Sequence, residues 1–125
     1  MTKKDAVEKW KISAQEDLQV AKELFGNTRY AYSLFFCQLA LEKVLKALIV
    51  DKTDDAPPIT HDLVKLTSFT SLKANPQQVV QLREITTFNV EARYDIQKER
   101  LYKKATKEFT QKYLTVTEEL SLWIH

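Results

Sequence analysis

Glycine, cysteine and histidine are scarce in this chain, which has one glycine, one cysteine and two histidines among its 125 residues. A glycine-rich phosphate-binding loop requires several glycines at fixed spacing, so that class of nucleotide site is excluded. The usual zinc sites require a cluster of cysteine and histidine ligands, whereas Cys37, His61 and His125 lie far apart in the sequence. We therefore expect no metal site and no resident cofactor.

The scarcity of glycine and proline also bears on the fold. With one glycine, three prolines and abundant leucine, alanine, lysine and glutamate, the composition favours helices over a β-sandwich or barrel. The length fits one domain, residues 1–125, and a net charge of +2 gives no strong field that would attract nucleic acid. The first residues lack the apolar run of a secretory signal, and one cysteine cannot form an intrachain disulfide. We expect a cytoplasmic protein.

The most apolar stretch, Tyr30–Val50, predicts a helix at the centre of the fold. It contains neither glycine nor proline, and its apolar residues cover most of the helix circumference. Glu42, Lys43 and Lys46 lie inside the run and exclude a membrane span, because charges at the middle of a bilayer are costly. We therefore expect a buried core helix. Its best buried residues should be Leu34, Leu41, Leu45 and Leu48.

Apolar residues at helical spacing predict the other elements. A helix from about Lys4 to Phe25 should end at Gly26, with Thr28 as a candidate N-cap for the central helix. A polar loop with two prolines follows the central helix. The remaining predicted helices are His61–Leu72 capped by Thr60, a helix from Asn75-Pro76 towards Phe88, and a long helix over residues 96–124. The predicted fold is all-α, an up-and-down antiparallel bundle of four to five helices.

Several polar positions have two interpretations each. Gln38, Glu42 and Lys46 are four residues apart and form one edge of the central helix, which either holds an intrahelical ion pair or faces a polar groove or a partner subunit. His61 either bonds to the backbone at a helix start or acts in a site. Arg93, between two helices, either satisfies helix-end carbonyls or binds a ligand. The basic stretch 98–112 is either a solvated helix face or a contact for nucleic-acid phosphates.

Three short motifs, taken together, carry a resemblance to a known family. They are Glu42-Lys43-x-x-Lys46-Ala47, Thr60-His61-Asp62-Leu63 and Asn89-x-x-x-Arg93-Tyr94. Their order resembles the HEPN domain family, small helical domains associated with nucleotide binding. The resemblance implies a homodimer and a minimal nucleotidyltransferase partner, frequently as a toxin–antitoxin pair. Ribonucleases of the family carry Arg-x(4–6)-His, and no histidine follows any arginine at that spacing here. We therefore expect a binding module rather than an enzyme.

The candidate ligand-binding residues should converge in one polar groove; they are Glu42, Lys46, His61, Asp62, Arg93 and Tyr94. An arginine fork, a lysine and a histidine together favour a phosphate-bearing ligand such as a nucleotide, and Tyr94 can stack on its base. Glu42 would repel phosphate and should orient the cations instead. Two other functions stay open. The chain could cleave RNA without metal, using Arg93 with His61 or Tyr94, or it could be a purely structural adaptor.

Overall fold

Two long helices form an antiparallel hairpin. The computed structural model describes residues 2–93 and 95–125, and of Asp95 and Ile96 it describes only the backbone. Helix α1 spans Lys3–Gly26 and helix α2 spans Tyr30–Thr53. A short connection of this kind favours antiparallel neighbours. The contacts agree, because the start of α1 meets the end of α2 through a Lys3–Asp54 ion pair.

The turn between α1 and α2 differs from the prediction in its details. Gly26 is the last residue of α1, and the left-handed backbone conformation falls on Thr28, with φ of 61°. The Thr28 hydroxyl donates to the carbonyl of Asn27 at 2.6 Å, and the N-cap of α2 is Arg29, which makes no side-chain capping bond. The prediction that Thr28 caps the central helix is therefore wrong, because Thr28 lies in the turn, one residue before the N-cap position.

The described residues contain four further helices and no strand, so the all-α bundle is confirmed with six helices instead of four to five. They are α3 (Leu63–Ser68), α4 (Pro76–Arg93), α5 (Asp95–Lys104) and α6 (Lys107–Ile124). The predicted start of α4 is confirmed, since the Asn75 and Gln78 side chains each accept a hydrogen bond from the other residue's backbone.

The single long C-terminal helix was a wrong prediction. The chain leaves the helix after Lys104 and begins a new one at Lys107, where the hydroxyl of Thr106 accepts a bond from the Phe109 N–H at 3.2 Å. A threonine in this role satisfies a backbone donor that the first helical turn leaves unpaired. Helix α3 is also shorter than predicted, since it starts two residues after His61 and ends at Ser68.

Helix α2 lies at the centre of the bundle, as predicted, and packs against α1, α3, α4, α5 and α6. Leu34, Leu41 and Leu45 have no exposed surface. Leu48 is only partly buried, because it borders a surface groove beside Ile124 and His125. None of the helices in the described ranges has both the length and the apolar character needed to cross a membrane.

Candidate functional site

The buried carboxylate of Glu42, on α2, is the centre of the Glu42 cluster, a polar group that also contains Gln38, Lys46, His61 and Asn89. Glu42 is 6% exposed and accepts hydrogen bonds from three side chains. Gln38 Nε2 donates to Oε1 at 3.0 Å, and Lys46 Nζ donates to Oε2 at 2.9 Å. The third partner is His61, whose Nδ1 lies 2.7 Å from Oε1. Gln38 and Lys46 precede and follow Glu42 by four residues, so the helix itself brings them to the same side.

The hydrogen bonds decide the charge state of this carboxylate. Burial by itself raises the pKa of Glu42, because it penalises the charged form. Hydrogen bonds from Gln38, Lys46 and His61, together with the positive charge of Lys46, outweigh the burial and leave the pKa below its ordinary value. Glu42 is therefore an ionised carboxylate with its acceptor positions occupied by the protein.

His61 is held to the protein by its side chain and by its backbone. Its carbonyl accepts a hydrogen bond from Gln38 Nε2 at 3.0 Å, while its Nδ1 faces Glu42. A carboxylate at Nδ1 keeps the proton on that nitrogen, which fixes the tautomer of the neutral ring and leaves Nε2 for another partner. The side chain is 46% exposed, so this other edge of the ring is accessible. The His61 ring therefore bonds to a side chain, and not to the backbone as one of the two predicted alternatives had it.

Asp62 lies beside His61 but has a different role. Its Oδ1 accepts hydrogen bonds from the N–H groups of Val64 and Lys65 at 3.0 and 3.1 Å. Asp62 is therefore the N-cap of α3, a position predicted for Thr60. The Thr60 hydroxyl instead accepts a bond from the Asp62 N–H at 3.2 Å. The Asp62 carboxylate is directed at the start of α3, and only its neighbour His61 reaches Glu42.

Lys46 contacts Glu42 in the interior of the protein. Its side chain is 11% exposed, and its ammonium group lies 2.9 Å from Glu42 Oε2 and 5.7 Å from the centroid of the Trp10 ring. An aromatic face favours a nearby cation electrostatically. The charge of Lys46 is thus taken up inside the protein. It positions Glu42 and does not face the exposed edge of His61.

Helix α4 closes the other side of the cluster. Asn89, which is 1% exposed, donates from Nδ2 to Gln38 Oε1 at 2.8 Å. On the same helix, the Thr86 hydroxyl accepts a bond from the Leu63 N–H at 3.1 Å. Thr86, Asn89 and Arg93 are three and four residues apart and therefore share one face of α4.

Arg93 extends this face by one helical turn, about 6 Å along the axis beyond Asn89. It is exposed at the end of α4. Within the described residues, no hydrogen bond or ion pair joins Arg93 to Gln38, Glu42 or His61. Arg93 is thus beside the cluster and not part of it. Tyr94, the last predicted site residue, lies outside the described residues.

Two cluster residues were missed as site residues, namely Gln38 and Asn89. Gln38 was visible as the first member of the polar edge on α2, four residues before Glu42. Asn89 carried a weaker signal, a polar residue between Phe88 and Val90 and one turn before Arg93. The bond between them joins positions 51 residues apart, and no local pattern predicts such a contact.

The basic stretch 98–112 does not form one continuous face, because it spans the end of α5 and the start of α6. Lys104 within it lies 2.9 Å from Glu91 and 3.2 Å from Glu84, both on α4. This lysine therefore helps to fasten α5 to α4. The remaining cations of the stretch are distributed over two helices.

A family comparison identifies the bundle. The model of the HEPN domain matches residues 7–125, nearly the whole chain. The chain belongs to the HEPN domain family. Among solved structures, the bundle is similar to the crystal structure of TT1696 from Thermus thermophilus, with a TM-score of 0.81, 17% identity and 94% of each chain covered. At that identity the likeness concerns the fold alone. No curated protein matches the sequence.

Proposed function

We propose that this HEPN domain binds a phosphate-bearing ligand, a nucleotide or a nucleic-acid phosphate, at the surface that carries His61 and Arg93. The observation that carries the proposal is the contact of 2.7 Å between His61 Nδ1 and the buried carboxylate of Glu42. This contact holds a half-exposed imidazole in one orientation, with Nε2 turned away from Glu42. A side chain that is both exposed and held in place is well suited to contact a ligand.

The charges around His61 favour an anion. Inside the cluster the carboxylate of Glu42 is balanced by the ammonium group of Lys46 at 2.9 Å. The outer groups are the His61 ring and the Arg93 guanidinium, which offers paired donors suited to phosphate oxygens. Because Nε2 of the neutral Nδ1–H ring is an acceptor, His61 would contact a phosphate as the imidazolium ion, with Nε2–H donating. In this proposal Glu42 and Lys46 position His61 and do not touch the ligand. Tyr94 would stack on a base, as predicted.

Calorimetric titration with ATP and with inorganic phosphate tests the proposal. We expect His61→Ala and Arg93→Ala each to weaken binding about tenfold or more, because each removes a charge-assisted hydrogen bond. Lys65→Ala is the matched control, since Lys65 is an exposed cation four residues after His61. If both site variants bind ATP and phosphate as the wild type does, or if the wild type binds neither, the cluster has a structural role only.

We also propose that the domain works as a homodimer. Family membership supports this, and so do two exposed apolar residues that are close to His61 and Asn89 in the sequence. Ile59 lies two residues before His61 and is 104% exposed, and Val90 follows Asn89 and is 42% exposed. A two-fold interface over this surface would cover both and bring two His61–Arg93 surfaces together. Sedimentation of the protein at micromolar concentration should show a dimer, and a monomer throughout that range would contradict it.

A second candidate function is metal-independent cleavage of RNA. The pairing of a carboxylate with Nδ1 of an exposed histidine is the arrangement that orients a general base. Arg93 would stabilise the charge that develops on the phosphate. RNA cleavage in the presence of a chelator, abolished by both His61→Ala and Arg93→Ala, would favour this function. If the RNA stays uncleaved, phosphate binding remains the only function proposed for this site.

Family membership further supports a minimal nucleotidyltransferase as partner, with the two proteins acting as a toxin–antitoxin pair. Affinity purification of the tagged protein from its native host tests this. We expect a nucleotidyltransferase to co-purify with the wild type. If no such enzyme is recovered from cells in which both proteins are expressed, the proposed partnership is wrong.

A further inference from the structure

Two tyrosines stand together on the surface away from the Glu42 cluster. Tyr32, in the first turn of α2, and Tyr102, near the end of α5, have ring centroids 6.4 Å apart and planes inclined at 88°. Their exposures are 41% and 55%. Aromatic rings of this size are usually more deeply buried, and an exposed pair is a feature that binding surfaces share.

The tyrosines form a ridge between two surface grooves. The first groove has a volume of about 260 Å³ and is bordered by Arg29 and Ala105. The second, bordered by Ala92 and Lys98, is a shallow crevice of about 10 Å³. Each groove thus carries one cation, and no carboxylate among the described residues borders either of them. The described residues thus place one cation on each side of the aromatic pair.

The ridge rests on a well-packed base. Leu101, the neighbour of Tyr102, is 2% exposed, and Ala31, the neighbour of Tyr32, is 6% exposed. These two buried residues belong to the main hydrophobic core and hold α5 against α2. Both rings therefore stand on helices, and a ligand would not have to order a loop in order to use them.

We infer that Tyr32 and Tyr102 are a stacking platform for single-stranded nucleic acid, with Arg29 and Lys98 contacting its phosphates. Bases stack on exposed aromatic side chains whatever their sequence, and a positive groove follows the backbone. A duplex already stacks its bases on one another, so an exposed ring pair selects unpaired strands. Ala92 of the second groove is next to Arg93, so a strand on the platform would continue towards the His61–Arg93 surface. The inference rests on the proposed function only for the class of ligand.

Fluorescence anisotropy with a labelled single-stranded DNA of about 12 nucleotides tests the inference, with a duplex of the same sequence as comparison. We expect Tyr32→Ala and Tyr102→Ala each to weaken single-strand binding roughly fivefold to a hundredfold, the range for loss of one stacked base. Tyr102→Phe keeps the ring and should retain binding. Phe69→Ala removes another exposed aromatic, 47% exposed beside α3, and should have no effect.

The cations give an independent readout. We expect Arg29→Ala to reduce the slope of log affinity against log salt concentration by about 0.7, the value for one phosphate contact on a single strand. Lys9→Ala, which removes an exposed cation of α1, should leave the slope unchanged. Circular dichroism and melting temperature identify any variant that fails to fold, and Tyr102→Phe then decides between a ring and a hydroxyl requirement.

Three results would overturn the inference. The first is a wild type that does not bind single strands, and the second is a pair of tyrosine-to-alanine variants that bind like Phe69→Ala. The third is that the tyrosine-to-alanine variants change in sedimentation coefficient and keep their affinity for single strands. That result would make the ridge an interface between copies of the chain. Failure of the proposed function is separate, because it is measured with ATP and phosphate on His61→Ala and Arg93→Ala. If strand binding depends on the tyrosines and ATP does not bind, only the proposed phosphate site at His61 and Arg93 is refuted.

Discussion

Replacing Glu42 by alanine leaves the ammonium group of Lys46 in the interior without its carboxylate. The two side chains are 8% and 11% exposed, so solvent screens the remaining charge little. Breaking a buried ion pair by removing one partner costs about 3–5 kcal/mol. Gln38 keeps its bond to the His61 carbonyl, and the His61 ring can turn to water, so these two partners add little. We expect Glu42→Ala to lower the free energy of unfolding by about 3–5 kcal/mol.

Denaturant unfolding followed by far-UV circular dichroism measures this loss as a shift in midpoint at constant slope. The matched variant is the double substitution Glu42→Leu with Lys46→Met, which removes both charges and keeps the volume. Replacing a buried pair by apolar residues is often neutral or stabilising. We therefore expect the double variant to lose less than about 1 kcal/mol, because Gln38 keeps its bond to the His61 carbonyl and the His61 ring can turn to water.

Two results would show that the unpaired charge of Lys46 does not cause the loss of stability in Glu42→Ala. If Glu42→Ala loses less than about 1 kcal/mol, the carboxylate behaves like a surface ion pair and is not desolvated. If the double variant is as unstable as Glu42→Ala, the loss comes from packing or from the Gln38 bonds and not from the unpaired charge of Lys46. Either result would also weaken the view that Glu42 fixes the orientation of His61.

Three further predictions follow from burial and charge. In the fold the pKa of Glu42 lies below its ordinary value of 4.5. Its stabilising contribution is therefore present above pH 4.5 and is lost as the pH falls towards the folded pKa. Acid titration should consequently destabilise the wild type more steeply than Glu42→Gln. Leu45→Ala should lower the free energy of unfolding by about 2–5 kcal/mol through an internal cavity, and a loss under about 1 kcal/mol would show that α2 is not central. Burial raises the pKa of the Cys37 thiol to about 12, so a thiol reagent at neutral pH should label the native protein only at the rate of unfolding, and immediate labelling would contradict its burial.

The centre of the fold and part of the site were predictable because their signals are local. The run Tyr30–Val50 is too long for a strand and too charged for a membrane, which leaves a core helix. The spacing of Glu42 and Lys46 by four residues predicts their ion pair, which the structure places at 2.9 Å. The loop before His61 leaves the C-terminal end of the central helix, which predicted that His61 lies near this edge, although not which of its atoms meets Glu42.

The remaining features depend on contacts between distant segments. Helical spacing continues through Ala105 and Thr106, because both α5 and α6 turn apolar residues to the same core. The break is seen only in the structure, where Thr106 caps the start of α6. The hydrogen bond between Gln38 and Asn89 has no local signature either. The charged residues of the site were therefore predictable, whereas the contact between the two neutral amides was not.

The position of these amides has a consequence for the order in which the protein assembles. The hairpin of α1 and α2 is made of contacts between neighbouring segments, which form with little loss of chain entropy. The site instead needs positions 38, 42, 61 and 89 to meet, so it is complete only after α4 has docked. We expect hydrogen exchange to show faster local opening in α4 than in the hairpin. Equal exchange in both would argue against this order. A chain whose α4 has detached would keep the Glu42–Lys46 pair within α2, but it would lose the Asn89 bond to Gln38 and the placement of Arg93.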